Sequence, residues 1–186
     1  MRGVWHERLS AWNPDGTPLA FDEFAGVPGE CPYETLVYID FDGSTYRHTN
    51  VVLSGRPDHV RSFTGTIVDG ILRFGSLGSG DPGHVGVSGG PGVLVFAPAA
   101  ITDELKRFSD PDWIFVEGDR RVRTTVLYRA TVLRRVLRVE ALRRSLDPTV
   151  RQPDDPRGLN GAVHVAPMQV AVFEPPEAQL PHSSVT

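Results

Sequence analysis

Tyr46, His48 and Asn50 occupy alternate positions in the segment Thr45-Tyr-Arg-His-Thr-Asn50. Alternate residues of an extended strand share one face. A phenol, an imidazole and a carboxamide would therefore stand in a row, on a side that also carries Thr35, Val37, Ile39 and Val52 of the same hairpin. Polar groups on an inward apolar face must be hydrogen-bonded, or must lie beside a wet or ligand-filled cavity. Placed there, the three could orient a ligand carbonyl or hydroxyl and, in a catalyst, stabilise charge developing on it. A different hairpin register would leave them in solvent. Both readings stand.

Arg135 is the second candidate. Among Leu133, Leu137 and Val139 it would be a buried cation, which requires a carboxylate: Glu7, or an acidic ligand. The competing readings are a structural Arg–Glu pair and a rim position from which the side chain snorkels to water. Trp5, Trp113, Phe115 and Tyr128 could line a pocket for a flat or polyene molecule, or could simply fill a core.

Other chemistries find little support. Gly86-x-x-Gly89-Gly90-x-Gly92 has no helix pattern after it, so it is not read as a dinucleotide loop. Ser88 lacks the strand–turn–helix context of a nucleophile, and the 6 histidines are scattered without ligand spacing, so neither a metal nor a cofactor is expected. A single cysteine, Cys31, permits no internal disulfide and suits a reducing compartment. The net charge of −4 argues against general nucleic-acid binding. Without a signal peptide or a long apolar run, the expected location is cytoplasmic, with no membrane span.

The elements that would position these residues are strands. The stretch from Asp112 to Arg144 alternates in β fashion and folds back twice, with Gly118-Asp119 as a two-residue hairpin connection and Ala130-Thr131 as a second turn. Across the first turn, positions summing to 237 face each other. The expected inner face is Trp113, Phe115, Val122, Thr124, Val126 and Tyr128. Parity carried through the second turn puts Leu133, Arg135, Leu137, Val139 and Ala141 inward. Arg121, Arg123, Arg129, Arg134 and Arg138 then form an outer basic stripe, which a dimer mate, an acidic partner or Asp154-Asp155 could cover. Strands this long suit a tilted barrel wall.

Upstream, Gly3-x-Trp5 opens a strand over residues 2–12, closed by the turn Asn13-Pro14-Asp15-Gly16, with a second strand expected from Thr17 to Phe24. Hairpins follow over Asp42-Gly43 (or Gly43-Ser44) and Asp69-Gly70, the latter with Phe63, Ile67, Leu72 and Phe74 on one face. Next come the strand-like HVGVS segment, Val93–Ala97, and one short helix or loop over Ile101–Ser109. Frequent glycine and proline, 19 and 16 residues of 186, fit short strands and many turns. The expected fold is all-β: a single antiparallel up-and-down barrel of 8–10 strands over residues 1–146. Residues 147–186 form a Pro-rich strap and tail in which Val163–Phe173 could dock as one strand.

This pattern resembles the calycins, the superfamily of lipocalins and fatty-acid-binding proteins, through Gly3-x-Trp5, the serial hairpins and the long arginine-bearing final strands. It is more closely similar to bacterial lipocalin-like proteins related to cyanobacterial bilin lyases, on the residues Trp5 to Gly16 and Arg121 to Glu140. The bilin-gripping pattern of those lyases is not evident, nor is the Arg-x-Tyr of fatty-acid binders. In size, lack of a cofactor motif and preference for arginine, the chain also resembles β-barrel cyclases of polyketide pathways. The resemblance implies a barrel enclosing one hydrophobic small molecule. As an enzyme it would be a cofactor-free cyclase or isomerase, with Tyr46, His48 and Asn50 as catalytic donors, Arg135 as an anchor, and Trp5, Glu7, Trp113, Phe115 and Tyr128 around the ligand. The alternative is a non-catalytic carrier.

Overall fold

A computed structural model describes residues 1–19, 32–53, 60–74, 83–98, 111–129 and 132–157. Within them the chain forms ten strands and no helix: β1 (Gly3–Trp12), β2 (Tyr33–Phe41), β3 (Thr45–Val52), β4 (Val60–Val68), β5 (Ile71–Phe74), β6 (His84–Gly90), β7 (Val93–Pro98), β8 (Asp112–Glu117), β9 (Arg120–Arg129) and β10 (Val132–Ser145). Each pairs antiparallel with its sequence neighbour, and β1 pairs with β10 to close the barrel. Closure leaves no free edge, which permits long strands without exposing a pairing template.

Short turns set the registers. At Asp69-Gly70 both residues have positive φ, 52° and 75°, the pattern of a type I′ turn that matches strand twist. It fixes Ile67 opposite Leu72, as expected. The β2–β3 turn centres on Gly43-Ser44, because Phe41 pairs with Tyr46 and Asp42 Oδ1 accepts from the Ser44 and Thr45 amides. Moving the turn from Asp42-Gly43 shifts pairing by two residues, which keeps the same side chains on the same face. Around Gly118-Asp119 the expected pairing holds in full, with Val116 opposite Arg121 and Phe115 opposite Val122.

The face of that last hairpin is the reverse of the expectation. Ile114, Arg121, Thr125 and Leu127 are buried, whereas Trp113 is 43% and Phe115 52% exposed. Tyr128, next to buried Leu127, shares the outward side. Even so, β10 carries Arg135, Leu137, Val139 and Ala141 inward as expected. The reason is a bulge: pairing shifts by one residue between Leu133 and Arg135, so Leu133 faces Tyr128 and Arg135 faces Leu127. One extra residue inverts a strand's parity. The bulge thus offsets the inverted face of β9.

Three apolar clusters frame the interior. Trp5, Val37, Ile39, Tyr46, Leu72, Phe96, Ile114 and Ala141 form a plug at the end where the short turns lie. Leu9, Ala11, Tyr33, Val52, Leu137 and Val139 form a second wall farther along β1–β3 and β10. Val4, Leu36, Val51 and Val60 lie on the outward side, with Tyr38 packed against them. The strap after β10 fastens there: Tyr38 donates to Asp155 Oδ2 at 2.6 Å, and Arg151 and Arg157 donate to the same oxygen at 3.0 and 2.7 Å. Burial works against the charge on Asp155, but hydrogen bonds from Arg157, Tyr38 and Arg151 outweigh it and hold the carboxyl well below its usual range.

Of the strand expected over Thr17–Phe24, only an isolated bridge from Trp12 to Pro18 is present, and its remainder lies outside the described residues. So do Ile101–Ser109, the turn Ala130-Thr131 and the tail from residue 158 onward.

A Cβ added at Gly86 would run into the Phe96 ring. Gly86→Ala should therefore destabilise the barrel by about 1–3 kcal/mol, the usual cost of overpacking. Urea unfolding of Gly86→Ala with and without Phe96→Leu checks this, since trimming the ring should recover most of the loss.

Candidate functional site

On the inner face of β3 the three polar residues form one continuous chain. Tyr46 Oη lies 3.0 Å from His48 Nδ1, and His48 Nε2 lies 2.7 Å from Asn50 Oδ1. A carboxamide oxygen can only accept, so Nε2 carries the proton. A neutral ring then leaves Nδ1 to accept from the tyrosine hydroxyl. The neutral ring is what this environment favours. Burial, and then the positive charge of Arg121, push His48 down to about 4. Burial likewise pushes the Tyr46 phenol far above its ordinary value. Phe63 of β4 closes on the imidazole edge-on, with centroids 5.6 Å apart.

A second polar group comes from β1, β2 and β9. Glu7 accepts from Arg121 Nη2 and from Thr35 Oγ1, and Glu7 and Arg121 are both 3% exposed. Burial opposes ionisation of Glu7, but Arg121, then Arg123 and His48, and the Thr35 hydroxyl hold it below the normal carboxylate range. Beside this pair, Asp112 accepts from Thr125 Oγ1, and Arg123 Nη1 lies 3.6 Å from Asp112 Oδ2. Trp5 belongs to the plug. Its indole donates to the Met1 carbonyl at 2.8 Å, and the guanidinium carbons of Arg121 and Arg143 lie 5.0 and 4.6 Å from its ring centroid.

Several inward residues keep partial accessibility. His48 and Asn50 are half-buried, as is Phe63, and the side chains of Arg123 and Asp112 are 23% and 19% exposed. Tyr46 is instead sealed in the plug.

The residues singled out in the sequence divide between the two faces of the wall. Tyr46, His48, Asn50, Glu7 and Arg135 face inward, and Trp5 is inward as part of the plug. Trp113, Phe115 and Tyr128 stand on the outer wall, so they do not line the interior. The carboxylate partner of Arg121, not of Arg135, is Glu7. Sequence reasoning missed Arg121, Arg123, Asp112 and Thr125 on the inner face, whereas Thr35 is buried there as expected. The expected outer stripe loses Arg121 and Arg123 to the interior, and exposed Arg138 pairs with Glu140 on its own strand. A usable signal was Glu7: a carboxylate between inward Trp5 and Leu9 demands a cation on a neighbouring inner face.

No family model matches this sequence, and no curated protein matches it. Solved structures do. The chain superposes on a protein of unknown function from the DUF3598 family of Nostoc punctiforme, with a TM-score of 0.58, 16% identity, and coverage of 77% of this chain and 47% of that one. The likeness is one of fold. This barrel spans about half the length of the Nostoc protein. It also aligns with an S-type phycobiliprotein lyase from Guillardia theta, with a TM-score of 0.48, 14% identity, and coverage of 76% and 87%. No helix of the described residues is long and apolar enough to cross a membrane. Among them, no cluster of three or more His, Cys, Asp or Glu is placed to hold a metal ion.

Two outcomes test the geometry. Glu7→Gln should destabilise the barrel by about 3–5 kcal/mol, because Arg121 keeps a buried charge without its counter-ion. The double change Glu7→Leu/Arg121→Met should recover most of that in urea unfolding. His48, lowered to about 4, binds its proton more weakly in the folded than in the unfolded chain. Its contribution to stability is therefore intact above the unfolded value of about 6.5 and declines as pH falls toward 4. His48→Gln should flatten that part of the stability–pH curve, and the imidazole NMR shifts of the parent should stay neutral through pH 6.

Proposed function

We propose that this barrel encloses one small, largely apolar molecule and orients its oxygen-bearing end with the inward polar groups of β3 and β9. The observation that carries the reading is Asn50. Its carboxamide oxygen is used by His48, so the ladder ends in an amide N–H pair on a half-buried side chain facing the barrel axis. A buried donor favours a ligand that supplies an acceptor. Apolar surface around it, from Phe63 on one side and the Leu9–Val139 wall on the other, suits the rest of such a molecule.

The arrangement favours binding and orientation over proton transfer. Both nitrogens of His48 are engaged and the ring is neutral, while the Tyr46 phenol holds its proton firmly. General acid–base chemistry works best with a group that titrates near the working pH, and neither does. A carrier or sequestering role is therefore the leading reading. The second reading is a cofactor-free cyclase or isomerase. The charges of Arg121 and Arg123 support it, because both reach Tyr46 and His48 and would stabilise an enolate in a preorganised pocket.

Titration of the full chain with Nile red, a neutral dye that brightens in apolar surroundings, tests enclosure. One equivalent should bind saturably. Phe63→Trp, which narrows the hollow, should weaken binding at least about tenfold, and Trp113→Ser, on the outer wall, should leave it unchanged. The opposite pattern would place the dye on the outside and sink the proposal.

A further inference from the structure

The outer wall carries a contiguous apolar surface. Ile71, Val87, Val95 and Trp113 face one another in a row across β5, β6, β7 and β8. Phe115 and Val122 continue the same face onto β9. Val87, Trp113 and Phe115 are 42%, 43% and 52% exposed. Single exposed apolar side chains are ordinary, but a continuous surface with two large rings at its centre marks a contact. It ends at β10, where Thr124 faces Arg138 and Val122 faces Glu140, and those two charges pair with each other.

The chain beyond the strap has the composition to cover it. Residues 162–173 read Ala-Val-His-Val-Ala-Pro-Met-Gln-Val-Ala-Val-Phe, with no acidic residue and no basic one besides His164. The barrel closes through β1 and β10, so no terminal strand is open to receive this run as an eleventh. Pro167 also lacks the N–H that a central strand needs. What remains is to lay side chains on a face, and the root of the run already lies on the outer one. Arg157 donates to Asp155 Oδ2 at 2.7 Å, and Tyr38 of β2 donates to the same oxygen.

The span fits. Phe115 stands four strands around the wall from Tyr38. The registers Tyr38–Val4–Ser145 and Glu140–Val122–Phe115 put it about five residues farther along. At about 4.8 Å per strand and about 3.3 Å per residue, the path is roughly 25 Å. About eight extended residues after Arg157 cover it, so the chain arrives within the first part of its apolar run. At the far end, exposed Arg73 follows Ile71 on the outward side of β5, where Glu174 and Glu177 after the run would meet a cation. We infer that residues 162–173 dock across the outer wall over Val87, Val95, Trp113, Phe115 and Val122. Tethering favours this occupant over a second copy, because the strap holds the run near the surface at a high effective concentration.

Paramagnetic NMR of the full chain tests this. With Cys31→Ser, and Gln169→Cys carrying a nitroxide, the Trp113 indole signal should be lost until the label is reduced. Adding Val170→Asp and Val172→Asp to the labelled chain should restore it, and the other indole signals report whether that variant is folded. In a mixture of nitroxide-bearing chain with isotope-labelled chain that lacks the nitroxide, Trp113 of the latter should stay sharp. A sharp Trp113 signal in the nitroxide-bearing chain itself would overturn the docking. Equal loss in the mixture would assign the face to the tail of a second copy. A dimer in sedimentation that survives the two aspartates would assign it to the wall of a second copy. Either result overturns the proposal.

Discussion

The ion pair between Arg121 and Glu7 is the constraint from which the rest of the interior follows. Two charges that are almost wholly withdrawn from water are tolerated only when they meet each other and their remaining valences are met nearby. Glu7 meets Arg121 and Thr35. Because side chains alternate along a strand, placing Arg121 inside also places Arg123, Thr125 and Leu127 inside and expels Val122, Thr124 and Val126. Pairing across Gly118-Asp119 then sends Ile114 and Val116 inward and Trp113 and Phe115 to the surface. One electrostatic requirement thus fixes the face of two strands, against the preference of two large aromatic rings for burial.

That competition also explains what could and could not be read from the residue order. Turn chemistry was legible. Gly118-Asp119 and Asp69-Gly70 fixed their registers, and the β3 face survived a turn displaced by one residue because the pairing moved by two. The all-β class and a strand count at the upper end of the expected range were legible for the same reason. The face of β8 and β9 was not. Both sides of that hairpin carry apolar residues, and counting hydrophobic groups favours the wrong one. Only the demand of Glu7 for a cation discriminates, and that demand spans more than a hundred residues of sequence. The bulge between Leu133 and Arg135 has no glycine or proline to announce it. Arg135 was placed inward by two departures that cancel.

Seen along its axis, the barrel is layered. An apolar plug built on Trp5 closes the end where β2–β3, β4–β5, β6–β7 and β8–β9 are joined by short turns. Next comes the polar belt of Glu7, Arg121, Arg123, Asp112 and the Tyr46–His48–Asn50 ladder. Beyond it, the apolar wall of Leu9, Ala11, Tyr33 and Leu137 lines one side. On the proposed reading, the polar groups would meet one end of an enclosed molecule and the apolar sides the rest. On the outside, the strap is tied through Asp155 to Tyr38, which packs against the apolar patch of β1–β4.

The central claim is that the ladder on β3 borders the space where a ligand goes, and that the aromatic rings of β8 do not. Side-chain NMR of the full chain during titration with a neutral apolar probe reads this directly. The account predicts that the Asn50 carboxamide and His48 imidazole signals move with saturation while the Trp113 indole signal stays in place. Movement of the Trp113 indole with silent Asn50 and His48 signals would contradict it.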